Sequence, residues 1–116
     1  MNEENLEMLK IAYKALDDKF AEDIVILDIR EVSTMADYFI IASGRNPNQL
    51  KAMADEVDEK LHKHGLKQNC IEGYHLANWI LIDFSDVMIH LFAKEDREFY
   101  RLERVWGDAK IVELPK

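Results

Sequence analysis

Cysteine, glycine and proline are scarce in this chain: one, four and two among 116 residues. The single cysteine, Cys70, excludes an internal disulfide and suits a reducing compartment, so a cytoplasmic location is expected. Its plain reading is a small residue in or beside a strand. So little glycine and proline leaves no flexible linker, and no repeat or low-complexity tract interrupts the sequence. One domain over residues 1–116 is expected. No apolar run approaches the ~20 residues a membrane helix needs, which argues against membrane insertion. The opening "MNEENLEMLK" is acidic and polar, unlike a secretory or organellar leader. Basic residues are also short, 15 against 23 acidic, for a net charge of −8. Such a chain is repelled by a phosphate backbone, so independent nucleic-acid binding is not expected. A basic protein partner fits better, because complementary charge speeds encounter and rejects wrong partners.

What is present has the composition of an ordinary globular protein, 48% hydrophobic and 33% charged. Residues 3–20 are predicted as a helix, with Leu6, Leu9, Tyr13, Leu16 and Phe20 on one stripe. Asn2 can cap its start, and Glu3 and Glu4 suit the positive end of its dipole. "DIVILDIREV" and "DYFIIASG" read as strands, the second apolar enough for burial on both faces. Asn46, Pro47 and Gln49 mark the start of a second helix, lined by Leu50, Met53, Ala54, Val57 and Leu61 and stopped by Gly65. A short strand near Asn69–Tyr74, a hairpin, a helix from Glu95 to about Trp106 and a tail "AKIVELPK" complete the order. The expected class is α/β (α+β), a mixed sheet of about five strands with flanking helices.

The stretch "NWILIDFSDVMIHLF" is the hairpin. A two-residue turn at Ser85-Asp86 pairs Phe84 with Val87, then Asp83 with Met88, Leu81 with His90 and Trp79 with Phe92. One face then carries Ile80, Ile82, Phe84, Val87, Ile89 and Leu91 and must be core. The other is mixed and is expected to face outward; a three-residue turn would shift this partition. Asp83 and His90 become diagonal neighbours, roughly 7–8 Å apart at the backbone. An ion pair between them is feasible and would raise the His90 pKa. Catalysis by this pair needs a nucleophile within reach of His90. Ser85 lies in the turn, too far along the strand, and the sequence does not place Ser33 or Ser43 there, so catalysis is the least favoured reading. A structural pair and a recognition surface remain the two readings.

Other chemistry is weaker. His62 and His64, two apart at a helix end, point in different directions, and neither HExxH nor a cysteine pair occurs, so no metal or cofactor is expected. In "ASGRNPNQ" a strand runs into a helix, and free N–H groups there could hold an anion. Nucleotidyltransferases use such a turn together with paired carboxylates that hold magnesium. Here Asp28 and Asp83 are single acids on separate strands. A degenerate nucleotidyltransferase-like domain binding nucleotide at Ser43-Gly44-Arg45 is the alternative function; the plain reading makes Gly44 a turn residue. "REFYRLERVWGDA" mixes aromatic and arginine residues as interfaces do, so a patch of Trp79, Tyr100 and Trp106 is a candidate contact surface. The same surface closing on itself would give a homodimer.

"DYFIIASG", "ADEV", "EGYHLANWILIDFSDVMIHLF" and "REFYRLERVWGDA" together resemble the ribosomal silencing factors, the Iojap-like family, from about Asp23 to Ala109. The resemblance implies a nucleotidyltransferase-like core without catalytic carboxylates and a function without catalysis. It implies binding to the large ribosomal subunit through a basic ribosomal protein (number fourteen), which blocks joining of the small subunit and lowers translation. Trp79 falls on the family's partner-binding tryptophan. Asp83, Asp86, His90, Arg97, Tyr100, Glu103 and Trp106 match the motif, and Leu81 shares the mixed hairpin face. Where relatives often carry a Ser-rich turn followed by Arg, this chain has Asn46-Pro47-Asn48-Gln49, read here as a helix cap.

Overall fold

The computed structural model describes residues 3–94, 107 and 109–113. Helix α1 (Glu3–Asp18) is followed by strands β1 (Glu22–Asp28) and β2 (Tyr38–Gly44), helix α2 (Pro47–Lys63), and strands β3 (Cys70–Glu72), β4 (Trp79–Asp83), β5 (Val87–Ala93) and β6 (Lys110–Ile111). The sheet order is β3-β4-β5-β2-β1-β6. Only the central β2–β5 pair among these is parallel, the crossover being made by α2, β3 and β4. The expected mixed α+β class holds, with six strands in place of about five. The sixth comes from the tail: Lys110 and Ile111 pair with Asp28 and Leu27. Asn2 and the helix expected from Glu95 to Trp106, including Arg97, Tyr100, Glu103 and Trp106, lie outside the described residues.

Two apolar clusters flank the sheet. The larger joins α1 and α2 to Ile26, Tyr38, Ile40, Ile80, Ile82, Phe84, Val87, Ile89 and Leu91. The smaller, on the opposite face, holds Leu27, Ile29, Ala36, Phe39, Ile41, Met88 and Phe92, with no residue from either helix. β2 is buried along its whole length because both clusters use it, as its continuous apolar run anticipates.

The stripe expected on α1 is rotated. Met8, Leu9, Ala12, Ala15 and Leu16 are buried, whereas Tyr13 and Phe20 are exposed. Leu9 and Leu16 of the expected stripe lie on the packed face, with Met8, Ala12 and Ala15 beside them in place of Tyr13 and Phe20. The helix also ends two residues earlier than the spacing suggests. Phe20 takes φ 62°, and the amides of Phe20 and Ala21 donate to the carbonyls of Asp17 and Leu16. The same closure ends α2, where Gly65 (φ 80°) and Leu66 donate to His62 and Leu61. Glycine occupies this left-handed position at little cost, and a β-substituted residue does not.

Candidate functional site

The hairpin has the register a two-residue turn requires. Trp79 lies opposite Phe92, Leu81 opposite His90, and Asp83 opposite Met88. The Phe84 amide donates to the Val87 carbonyl at 3.0 Å, and Ser85 takes φ 70°. Asp83 Oδ1 accepts the Ser85 amide at 2.7 Å, so this carboxylate braces its own turn. Asn69 Nδ2 donates to Ser85 Oγ from the neighbouring edge.

The mixed face differs from the outward surface expected of it. Met88, His90 and Phe92 on β5 are buried, and His90 is only 5% exposed. Trp79, Leu81 and Asp83 on β4 are half-buried, and Asp86 in the turn is exposed. The division follows the sheet order. β5 is enclosed between β4 and β2, while β4 has only the three-residue β3 outside it.

The Asp83–His90 ion pair is replaced by a different contact. Trp79 Nε1 donates to His90 Nδ1 at 3.2 Å. An indole N–H can only donate, so Nδ1 must be the unprotonated nitrogen and the proton of the neutral ring sits on Nε2. Nε2 makes no hydrogen bond among the described residues. Burial pushes the His90 pKa down to about 4, opposite to the rise an ion pair would cause. His90 packs edge-on to Phe39, with ring centroids 4.5 Å apart, and Trp79 lies 5.0 Å from Phe92. Such pairs contribute about 0.5–1.5 kcal/mol each beyond the burial of their area. Phe92 was available from the hairpin register. Phe39 was not, because its approach depends on the parallel β2–β5 pairing.

A short strap precedes Trp79. Gly73 has φ 79°, and a Cβ there would come within 2.1 Å of the Trp79 carbonyl oxygen. Buried Ala77 takes φ 55°, and its amide donates to the Gly73 carbonyl at 2.9 Å. Tyr74 Oη donates to the Asp55 carboxylate on α2, 3.1 Å from each oxygen. That bond holds the Tyr74 proton and raises its pKa.

At the β2–α2 turn, two of the backbone N–H groups that could receive an anion are engaged internally. Asn46 Oδ1 accepts the Gln49 amide at 2.8 Å, and Gln49 Oε1 accepts the Arg45 amide at 2.6 Å. Gln49 Nε2 donates to the carbonyls of Lys19 and Phe20 beyond α1. Arg45 Nε binds Glu22 Oε1 at 3.1 Å, and Lys94 lies 3.6 Å from the other oxygen. The Arg45 hydrogen bond, then the Lys94 charge, hold the Glu22 carboxyl below its usual range. Gly44 serves packing: a Cβ there would meet Leu50 and Met53 at 3.2 Å. The expected helix cap is therefore present. His62, His64 and His75 are exposed, and no group of three His, Cys, Asp or Glu side chains suited to a metal occurs among the described residues. No helix among them is long and apolar enough to cross a membrane.

Comparison with known proteins agrees with the hairpin motif. Residues 2–116 match the family described as "Ribosomal silencing factor during starvation". The chain is 43% identical over 110 residues to a ribosomal silencing factor of Halalkalibacterium halodurans, covering 95% of this chain and 94% of that one. It is 42% identical over 114 residues to the Bacillus subtilis factor, covering 98% and 95%. A chloroplastic Iojap protein of Zea mays is 34% identical over 105 residues, 88% of this chain and 44% of its own length. Among solved structures, a Chromobacterium violaceum protein superposes with TM-score 0.85 at 32% identity, covering 95% of this chain and 88% of that one. A Bacillus halodurans protein gives 0.83 at 39%, covering 93% and 98%.

Proposed function

This chain belongs to the family of ribosomal silencing factors, and on that premise we propose that it represses translation by steric occupation of the large ribosomal subunit. It docks as one noncatalytic domain, in the cytoplasm, on a basic ribosomal protein (number fourteen) at the face that meets the small subunit. The body of the domain then fills space the small subunit needs.

The observation that carries this reading is the alternation along β4. Ile80 and Ile82 are wholly buried, while Trp79, Leu81 and Asp83 between and beside them keep part of their surface. An aromatic ring, an aliphatic side chain and an acid in one row, with exposed Asp86 at the turn, make an edge suited to a cationic partner. The net charge of −8 favours the same class of partner. Arg97, Tyr100, Glu103 and Trp106 complete the proposed contact set by their match to the family motif. His90, almost wholly buried, is not a direct contact.

Sedimentation with separated ribosomal subunits tests the reading. The wild-type protein is expected to comigrate with the large subunit and not with the small one. Trp79→Ala is expected to lose comigration while keeping a folded circular dichroism spectrum. Its melting temperature should drop by roughly 5–15 °C, since a half-buried ring stacked on Phe92 is lost. Comigration of the wild type with neither subunit would overturn the proposal.

A further inference from the structure

His90 is a motif residue that the proposed contact surface does not absorb, because its side chain cannot reach a partner. Its environment is nonetheless specific. It lies directly opposite Leu81, two pairs along from the Trp79–Phe92 pair and on the same face. Its Nδ1 is the acceptor for the Trp79 indole N–H at 3.2 Å, and Phe39 and Phe92 fix its ring at centroid distances of 4.5 and 6.4 Å. The His90 and Phe92 rings are nearly parallel, 9° apart. A histidine so wedged presents Nδ1 in a single direction.

We propose that His90 is a positioning residue for the ribosome-binding tryptophan: it holds the Trp79 indole in one orientation and occupies its N–H, so that the ring offers the partner no free donor. This rests on the function proposed above and specifies the chemistry of the contact. An indole can turn over about its side-chain bonds and point its N–H either inward or outward. With Nδ1 as a buried acceptor, the inward orientation satisfies a donor that would otherwise require water or a partner carbonyl. With its N–H occupied, the part of the half-buried ring that remains exposed offers a partner carbon atoms and no hydrogen-bond donor. Asp83 lies four residues farther along the same face of β4, at the turn end of the row.

Three substitutions separate this role from simple packing. His90→Asn keeps an acceptor on Cγ, where Nδ1 is attached; His90→Gln moves it one bond farther out; His90→Leu removes it. The indole N–H signals of the isotopically labelled protein report the bond without any ribosome, and Trp79→Phe identifies which signal belongs to Trp79. The Trp79 signal should move and exchange faster with water in His90→Leu and His90→Gln, and stay near its wild-type position in His90→Asn. Affinity for separated large subunits should fall about tenfold in the first two and change less than about twofold in the third. If His90→Leu does not fold, His90→Gln decides. An unmoved Trp79 signal in the folded Leu and Gln variants overturns the positioning role whatever the binding. A moved signal with wild-type affinity overturns it as well, provided Trp79→Ala loses binding. Wild-type affinity in Trp79→Ala overturns instead the interface on which the inference rests.

Discussion

The two faces of the sheet were built by different rules. On the helix-covered face, alternate residues of β4 and β5 are uniformly aliphatic or aromatic and almost completely buried: Ile80, Ile82, Val87, Ile89 and Leu91. On the other face the same two strands carry Trp79, Leu81, Asp83, Met88, His90 and Phe92, and burial varies from strand to strand. The first face needs only volume and apolarity. The second contains a histidine whose presence is costly to a core, and its cost is offset by one hydrogen bond and three ring contacts. The histidine's hydrogen bond to Trp79 is a contact that apolar packing alone does not provide.

The sharpest test of this contrast is a pair of neighbours. Ile82→Ala is expected to destabilise the protein by about 2–5 kcal/mol in urea denaturation, as for a fully enclosed aliphatic side chain. Leu81→Ala, one residue away on the other face, should cost about half as much, because Leu81 keeps part of its surface. Equal losses would mean that both faces are sealed alike.

Next in size is the pH response of His90. Its folded pKa of about 4 lies below the ordinary 6.5, so between these values the unfolded chain binds a proton the folded chain refuses. The stability that goes with a neutral ring is complete above about pH 6.5 and is lost as pH falls through about 4. The total is about 3 kcal/mol. The difference in unfolding free energy between wild type and His90→Asn should therefore shrink or reverse from pH 7 to pH 4. A constant difference would show that His90 titrates normally and is open to water.

The smallest effect on stability is expected at the turn. Asp83→Asn keeps an acceptor for the Ser85 amide, so unfolding should change by less than about 0.5 kcal/mol. Large-subunit affinity should still weaken and depend less on salt, as a lost charge facing a cationic partner requires. Unchanged affinity and salt dependence would remove Asp83 from the contact.

These differences also explain what could be read from residues alone. The hairpin register followed from turn length and alternation, and the cap of α2 from Asn46, Pro47 and Gln49, because both are local rules. Neither the parallel contact of β2 with β5 nor the pairing of Lys110 and Ile111 with β1 has a local signal. With β2 placed beside β5, the β5 half of the mixed face became interior, and His90 changed from an exposed partner of Asp83 to a buried partner of Trp79. The face of α1 was legible at Leu9 and Leu16 but not at its margins, where small Ala12 and Ala15 are buried and large Tyr13 and Phe20 are exposed. The motif did identify the hairpin on which the proposed site is built, although it did not separate half-buried Trp79 from buried His90.

The central claim is that this domain keeps the two ribosomal subunits apart. The direct measurement is gradient sedimentation of equimolar large and small subunits under conditions that favour joining, with and without a stoichiometric excess of the protein. The account predicts that the joined peak collapses into separate subunits, with the protein on the large one, and that Trp79→Ala restores joining. A joined peak that persists while carrying the wild-type protein would contradict it.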